Sequence, residues 1–150
     1  MTDIGPTLAS DIVAAVNGAP DAQAAMAQAV GLLKTGLNRY TWVGIYVMAG
    51  EELVLGPFLG KPSPHTRIPL DRGICGAAAS QRATVVVDDV SSDPRYLACS
   101  LETRSEIVVP IMSGDTVLGE IDVDSDQAAA FGEADRALLE EVAGALAARF

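Results

Sequence analysis

Residues 106–124 contain a largely apolar run at 106–112 and, after a short polar segment at 113–115, a run at 116–124 whose last six residues alternate between glycine or apolar and acidic side chains. Such alternation is typical of strands, and a short turn containing glycine joins neighbouring antiparallel strands. Side chains project alternately from the two faces of a strand. One face of the second run therefore carries Glu120, Asp122 and Asp124, whereas the other carries Gly119, Ile121 and Val123. The stretch predicts an antiparallel hairpin with one acidic and one apolar face.

The rest of the chain supplies helices at both ends and a second hairpin. Helical spacing of apolar residues predicts helices at 7 to about 16, 21 to about 39, 74 to about 82 and 133 to about 149. Composition typical of strands predicts further strands at 42–48, 52–58 and 84–87. The order predicts one α+β domain over residues 1–150. Its central antiparallel sheet carries the N- and C-terminal helices on one face and functional loops on the other.

Two connections have the composition of functional loops. Residues 60–65 contain Pro62 and Pro64, which exclude a helix or a central strand, so we expect an ordered loop near a site. Residues 88–105 form a long polar connection, and loops of that length are usually functional or disordered.

The charge balance excludes several classes of partner. A formal net charge of -10 repels nucleic acid, and no apolar window is long enough for a membrane span. The first residues carry no basic, apolar leader, so we expect a reducing cytoplasmic location. The glycines match no phosphate or dinucleotide fingerprint, and His65 is the only histidine. We therefore expect no cofactor and no metal.

The two cysteines are the candidate nucleophiles. Cys99 lies in the polar connection before a predicted strand, where exposure and neighbouring charge favour the reactive thiolate. Cys75 lies near the start of the predicted third helix. The alternative interpretation is that each thiol is an inert small apolar side chain.

The acidic face of the hairpin also has two interpretations. Its carboxylates face solvent, or loops cover them and they form a negative pocket suited to an ammonium group or to proton donation. Trp42 and Tyr46 project together from the first strand. They are either ordinary core residues or, opposite the carboxylates, the wall of a cavity for a small zwitterion.

Seven ordered motifs resemble one known family. They are WVGIY at 42–46, LVLGPF at 53–58, GKP at 60–62, RGICG at 72–76, AC at 98–99, SEIVVP at 105–110 and IDVDS at 121–125. The set resembles the free methionine-R-sulfoxide reductases, a branch of the GAF-domain fold. The resemblance implies reduction of free L-methionine-(R)-sulfoxide in a closed pocket, with recycling by a thioredoxin-type donor.

The resemblance also implies roles for particular residues. Cys99 matches the nucleophile that becomes a sulfenic acid, and Cys75 matches an auxiliary cysteine. The acids that hold the substrate amine and polarise the sulfoxide oxygen match Glu106, Asp122 and Asp124. The pocket wall matches Trp42 and Tyr46.

The chain departs from the family pattern at two places. A third cysteine, the principal resolving thiol, usually follows Gly-Lys-Pro, whereas residues 63–66 here read SPHT. Glu120 occupies a position that is usually apolar. Either Cys75 or an external thiol, such as thioredoxin or a small thiol, then resolves the sulfenic acid.

The sequence is also consistent with two other functions. One is a GAF module that binds a small molecule without catalysis, and the other is a redox sensor that uses the pair Cys75 and Cys99. The chain is too short to encode an effector domain, which favours the enzyme. The apolar N-terminal helices could pair in a homodimer.

Overall fold

The computed structural model describes residues 3–96 and 102–150. Within them the chain forms four α-helices and one six-stranded sheet. The helices are α1 (Leu8–Gly18), α2 (Ala22–Gly36), α3 (Gly73–Gln81) and α4 (Glu133–Ala147). The strands are β1 (Trp42–Ala49), β2 (Glu52–Leu59), β3 (Arg67–Pro69), β4 (Val85–Val87), β5 (Ser105–Ser113) and β6 (Thr116–Ser125).

The sheet has the strand order β3-β2-β1-β6-β5-β4, and every neighbouring pair is antiparallel. The predicted hairpin forms β5 and β6, with Ser113 opposite Thr116. Its turn is therefore two residues long rather than three. Gly114 occupies the first turn position with φ of +58°, a conformation that glycine adopts without steric cost.

The terminal helices cover one face of this sheet. The apolar side chains of β6 point toward them, and Ile121 and Val123 are fully buried in the same core as Leu33 of α2 and Leu139 of α4. This confirms the α+β arrangement with the N- and C-terminal helices on one face. Burial of such side chains is the main source of stability for a helix-on-sheet layer.

The opposite face carries a second, smaller core built by α3 and the connecting segments. Ile74 of α3 packs there with Leu53, Ile68 and Val108 from the sheet. Residues 88–105 include a short 3₁₀ turn at Val90–Ser92, and the Asp89 carboxylate accepts a hydrogen bond from the Ser91 backbone N–H. The face that bears the acidic row is therefore covered rather than open to solvent.

Three local expectations need correction. The second helix ends at Gly36 rather than near Arg39, because Leu37 is extended and the Arg39 guanidinium pairs with Asp3 and Asp135. The strand Arg67–Pro69 was not predicted, since it is three residues long and pairs only along the edge of β2. The fourth strand begins at Val85 rather than at residue 84.

Among the described residues, the helices are too short or too polar to cross a lipid bilayer.

Candidate functional site

Four carboxyl groups lie together on the covered face of the sheet. Glu106 on β5 is opposite Asp124 on β6, and strand alternation places Asp122 and Glu120 on the same face. Their residues are only 5%, 2%, 1% and 0% exposed, respectively. The solvated interpretation of this acidic face is therefore wrong. A carboxyl group with so little access to water must be protonated, hydrogen-bonded or paired with a cation.

The aromatic residues of β1 stand directly beside this row. Trp42 is opposite Asp124, and Tyr46 is opposite Glu120. Gly44 lies between them, and a Cβ atom there would be 2.2 Å from the indole ring of Trp42. The ring therefore lies over bare backbone, which only glycine permits. Both aromatic residues are buried in the second core, so they serve as core residues as well as neighbours of the acids.

Both aromatic side chains also hold the loop at residues 60–65. The Trp42 indole Nε1–H donates to the Lys61 carbonyl at 3.0 Å, and the Tyr46 hydroxyl donates to the His65 carbonyl at 2.7 Å. A buried indole or phenol group generally requires such a partner. The loop with its two prolines is therefore fixed beside the acidic row, as the sequence predicted.

Cys75, in the first turn of α3, reaches the same site from the opposite side. Its Sγ atom lies 3.4 Å from Asp122 Oδ2, to which the thiol donates a hydrogen bond. Burial, followed by the negative charges of Asp122 and Glu120, raises the pKa of the Cys75 thiol well above its usual range. Cys75 is therefore a protonated thiol at neutral pH.

Cys99 lies among residues 97–101, outside the described part of the chain. Its predicted role as the nucleophile therefore stays a prediction.

Burial is also the main cause of the shifted acidity of the four carboxyl groups. It raises the pKa of Glu106, Glu120 and Asp124 well above the ordinary range, and the charge of Asp122 adds to each shift. The pKa of Asp122 is raised by burial too, but hydrogen bonds from Glu106, Cys75 and Asp124 oppose that shift. Asp122 is therefore the member of the row that ionises most readily, and its neighbours retain protons.

Several oxygens of the row lack hydrogen-bond partners among the described residues. They are both carboxyl oxygens of Glu120, Oδ1 of Asp122 and Oδ1 of Asp124. None of the ion pairs formed by the described residues includes a member of the row. Unsatisfied buried acceptors are costly, so a donor or a cation that reached these oxygens would be stabilised there.

Two cavities adjoin the row rather than one. The outer cavity, of about 60 Å³, is lined by Trp42, Asp124 and Lys61 among others. The inner one, of about 10 Å³, is lined by Tyr46, Cys75, Glu106, Asp122, His65, Ile68, Gly73 and Ile74. Trp42 and Tyr46 thus face separate cavities, whereas the sequence suggested a single cavity with both as its wall.

Glu120 and His65 were not among the predicted catalytic or substrate-binding residues, and the structure brings both to this site. Glu120 was visible as the third acid of the alternating row. The position of His65 on the same cavity as Cys75 depends on the fold of the proline loop, which has no periodic signal. Cys75, Glu106 and Asp122 also place potential metal-binding atoms within 4.8 Å of one another.

Comparison with known proteins gives the class of this fold. A family model described as "GAF domain" matches residues 3–150. The chain belongs to the GAF-domain family.

Two relatives and one solved structure give the branch within that class. The "Free methionine-R-sulfoxide reductase" of Escherichia coli is 32% identical over 145 residues, which cover 97% of this chain and 87% of the relative. The protein of that name from Saccharomyces cerevisiae is 46% identical over 106 residues, which cover 68% and 58% of the two chains. The free methionine-R-sulfoxide reductase of Neisseria meningitidis, solved in complex with its substrate, superposes with a TM-score of 0.90. It is 41% identical, and the match covers 95% of this chain and 86% of that one. Within the GAF family, the chain belongs with the free methionine-R-sulfoxide reductases.

Proposed function

We propose that the protein reduces free L-methionine-(R)-sulfoxide to methionine. One observation carries the proposal: a buried row of carboxyl groups, with oxygens that lack partners among the described residues, stands beside an aromatic wall. A small zwitterion with one ammonium group and an apolar thioether end has the complementary chemistry. The relatives named as reductases of this compound support the same substrate.

Substrate binding uses the charge of the ammonium group. The ammonium donates to the free oxygens of Asp122 and Asp124, with Glu106 beside them, and its positive charge offsets the cost of ionising a buried carboxyl group. Trp42, which lines the outer cavity, and Tyr46, which lines the inner one, supply the aromatic surface for the thioether end of the substrate. A substrate whose amine is acylated lacks this charge, so the proposal restricts the enzyme to free methionine sulfoxide.

The reaction is a two-electron transfer from thiols. The Cys99 thiolate attacks the sulfoxide sulfur, the sulfoxide oxygen passes to Cys99, and methionine leaves, so that the cysteine is oxidised to a sulfenic acid. The oxygen must be protonated as its bond to the substrate sulfur breaks. Asp124 and Glu106 are suited to supply that proton because burial raises their pKa and therefore favours their protonated forms.

A second thiol must then resolve the sulfenic acid. It attacks the Cys99 sulfur, a disulfide forms and water leaves, and a thioredoxin-type or small-thiol donor returns the two electrons. Cys75 is the internal candidate, and Asp122 Oδ2, at 3.4 Å, is placed to accept its proton. The pair can form a disulfide only if their Cα atoms come within about 7 Å. The reaction requires no resident cofactor.

Substrate selectivity tests the binding part of the proposal. Turnover of the free sulfoxide should greatly exceed turnover of its N-acetyl derivative and of peptide-bound sulfoxide, measured as methionine or its derivative released. Equal rates with free and acetylated substrates would contradict the role of the carboxyl row. Binding of the free sulfoxide without any turnover would instead identify a small-molecule-binding GAF module.

Cysteine variants test the chemical part. Cys99→Ser should abolish even a single turnover in the absence of reductant. Cys75→Ser should release one equivalent of methionine and then stall when thioredoxin is the donor, and dithiothreitol should partly restore cycling by attacking the sulfenic acid directly. An unchanged multiple-turnover rate of Cys75→Ser with thioredoxin would show that recycling is external and that Cys75 has only a structural role.

A further inference from the structure

Three of the side chains that line the inner cavity have the spacing of ligands to a single ion. One ligand atom from each of Cys75, Glu106 and Asp122 lies within 4.8 Å of the other two. Ligands of a tetrahedral zinc ion are about 3.3–3.8 Å apart, given metal-ligand bonds of about 2.0–2.3 Å. The distance between Cys75 Sγ and Asp122 Oδ2 is already 3.4 Å. The remaining separations need only small side-chain rotations.

The buried, unpartnered carboxyl oxygens of the site favour a bound cation. Asp122 Oδ1 and both oxygens of Glu120 are buried and without hydrogen-bond partners among the described residues. Asp122, the member of the row that ionises most readily, is 1% exposed, so water does not solvate its charge. A divalent cation adds twice the positive charge of a substrate ammonium group, and it stabilises the ionised forms of Glu106 and Asp122 together.

The size and donor types indicate which cation. The inner cavity, of about 10 Å³, has room for one particle of the size of water. A thiol together with two carboxyl groups is a mixed sulfur and oxygen set, which suits a borderline-soft ion such as Zn²⁺ better than Mg²⁺ or Ca²⁺. Coordination requires loss of the Cys75 proton to solvent, and the new sulfur-metal bond offsets that cost.

We propose that Cys75, Glu106 and Asp122 form a binding site for a thiophilic divalent cation, Zn²⁺ or its spectroscopic substitute Co²⁺, whose occupancy blocks reduction of the substrate. The cation occupies the carboxyl oxygens that would otherwise receive the substrate ammonium. It also holds Cys75 as a metal-bound thiolate that is unavailable to resolve a sulfenic acid. The cation site rests on geometry and charge alone, whereas the inhibition rests on the proposed reductase function.

Titration of the metal-free protein with Co²⁺ tests the site directly. We expect one equivalent to bind with a near-ultraviolet thiolate-to-cobalt charge-transfer band, and Zn²⁺ to abolish the band by displacement. Cys75→Ser should remove the band, and Cys99→Ser should keep it. Asp122→Asn should weaken binding by about a hundredfold, since even outer partners of metal ligands contribute ten- to a hundredfold. Glu141→Gln, which neutralises an exposed acid on α4, is the matched control and should leave binding unchanged.

Three results would overturn the proposal: a band that persists in Cys75→Ser, a band that disappears in Cys99→Ser, and binding without any charge-transfer band. The last would mean that surface carboxylates alone hold the metal. If Cys75→Ser does not fold, Asp122→Asn and Glu106→Gln decide the question, because both keep the thiol. Affinity equal to wild type in both variants would likewise refute the site.

A separate experiment tests the inhibition. Stoichiometric Zn²⁺ should prevent the reduced wild-type enzyme from releasing its first equivalent of methionine, and a chelator should restore the release. Undiminished release with Zn²⁺ bound would refute the block. Absence of release even without Zn²⁺ would refute the proposed reductase function. The cobalt titration tests the cation site independently of that result.

Discussion

Replacing Glu120 by glutamine should make the folded protein more stable at neutral and alkaline pH. Glu120 is fully buried, and neither of its carboxyl oxygens accepts a hydrogen bond from a described residue. Its folded pKa is raised above the ordinary value, first by burial and then by the charge of Asp122. The native state therefore binds this proton more tightly than the unfolded chain does.

The sign of the pH dependence follows from this difference. When a folded pKa is raised, the stabilisation from proton binding is complete below the unfolded pKa, about 4.3 for glutamate, and is lost as the pH rises through the folded value. Glu120→Gln removes this loss because an amide does not titrate. The variant and the wild type should thus be similar in stability near pH 4–5 and diverge as the pH approaches 8.

The size of the effect can be bounded. Neutral replacements of buried ionic groups range from no effect to a stabilisation of about 1–4 kcal/mol. For a chain of this size each kcal/mol raises the melting temperature by about 2–4 °C. We therefore expect a gain of about 1–3 kcal/mol in the free energy of unfolding at pH 8.

Urea unfolding at several pH values between 5 and 8, with a chelator present, measures this prediction. Glu141→Gln is the matched control, because it removes the same charge from an exposed position and should change the unfolding free energy by less than about 0.5 kcal/mol. A Glu120→Gln variant that is no more stable than wild type at pH 8, or that has the same pH profile, would show that burial of this charge is not a net cost.

Three further substitutions have defined outcomes. Asp124→Asn should lower kcat/KM for free methionine sulfoxide by about two to four orders of magnitude if it donates the proton, and a loss below about threefold would exclude that role. Gly44→Ala should displace the tryptophan ring that its Cβ would meet at 2.2 Å, with a loss of about 1–3 kcal/mol in thermal or urea unfolding. Gly31→Ala, in an open helical position, should be neutral or stabilising, and equal effects of the two would contradict the steric argument. Tyr40→Phe removes the 2.7 Å hydrogen bond to the buried Asp135 carboxylate and should cost about 1–2 kcal/mol in the same assay, whereas no loss would mean that the bond contributes nothing net.

The sequence by itself determined the strands around the acidic row and the class of fold. The alternation at 119–124 is a local property of the chain, and it correctly predicted that Glu120 and Asp124 share a face with Asp122. The ordered motifs correctly indicated the GAF fold and its branch. Hairpins and amphipathic helices are encoded by nearest neighbours along the chain, which is why periodicity finds them.

The tertiary structure decided whether the acidic face is a surface or a site. Alternation left both interpretations open, because a strand does not specify which layer will cover it. The covering layer comes from α3 and the proline loop. Cys75 donates to Asp122 across 47 residues of sequence, and Tyr46 donates to the carbonyl of His65. These contacts remove water from the carboxyl groups, and that burial, which no local pattern encodes, raises their pKa values and gives the row its chemistry.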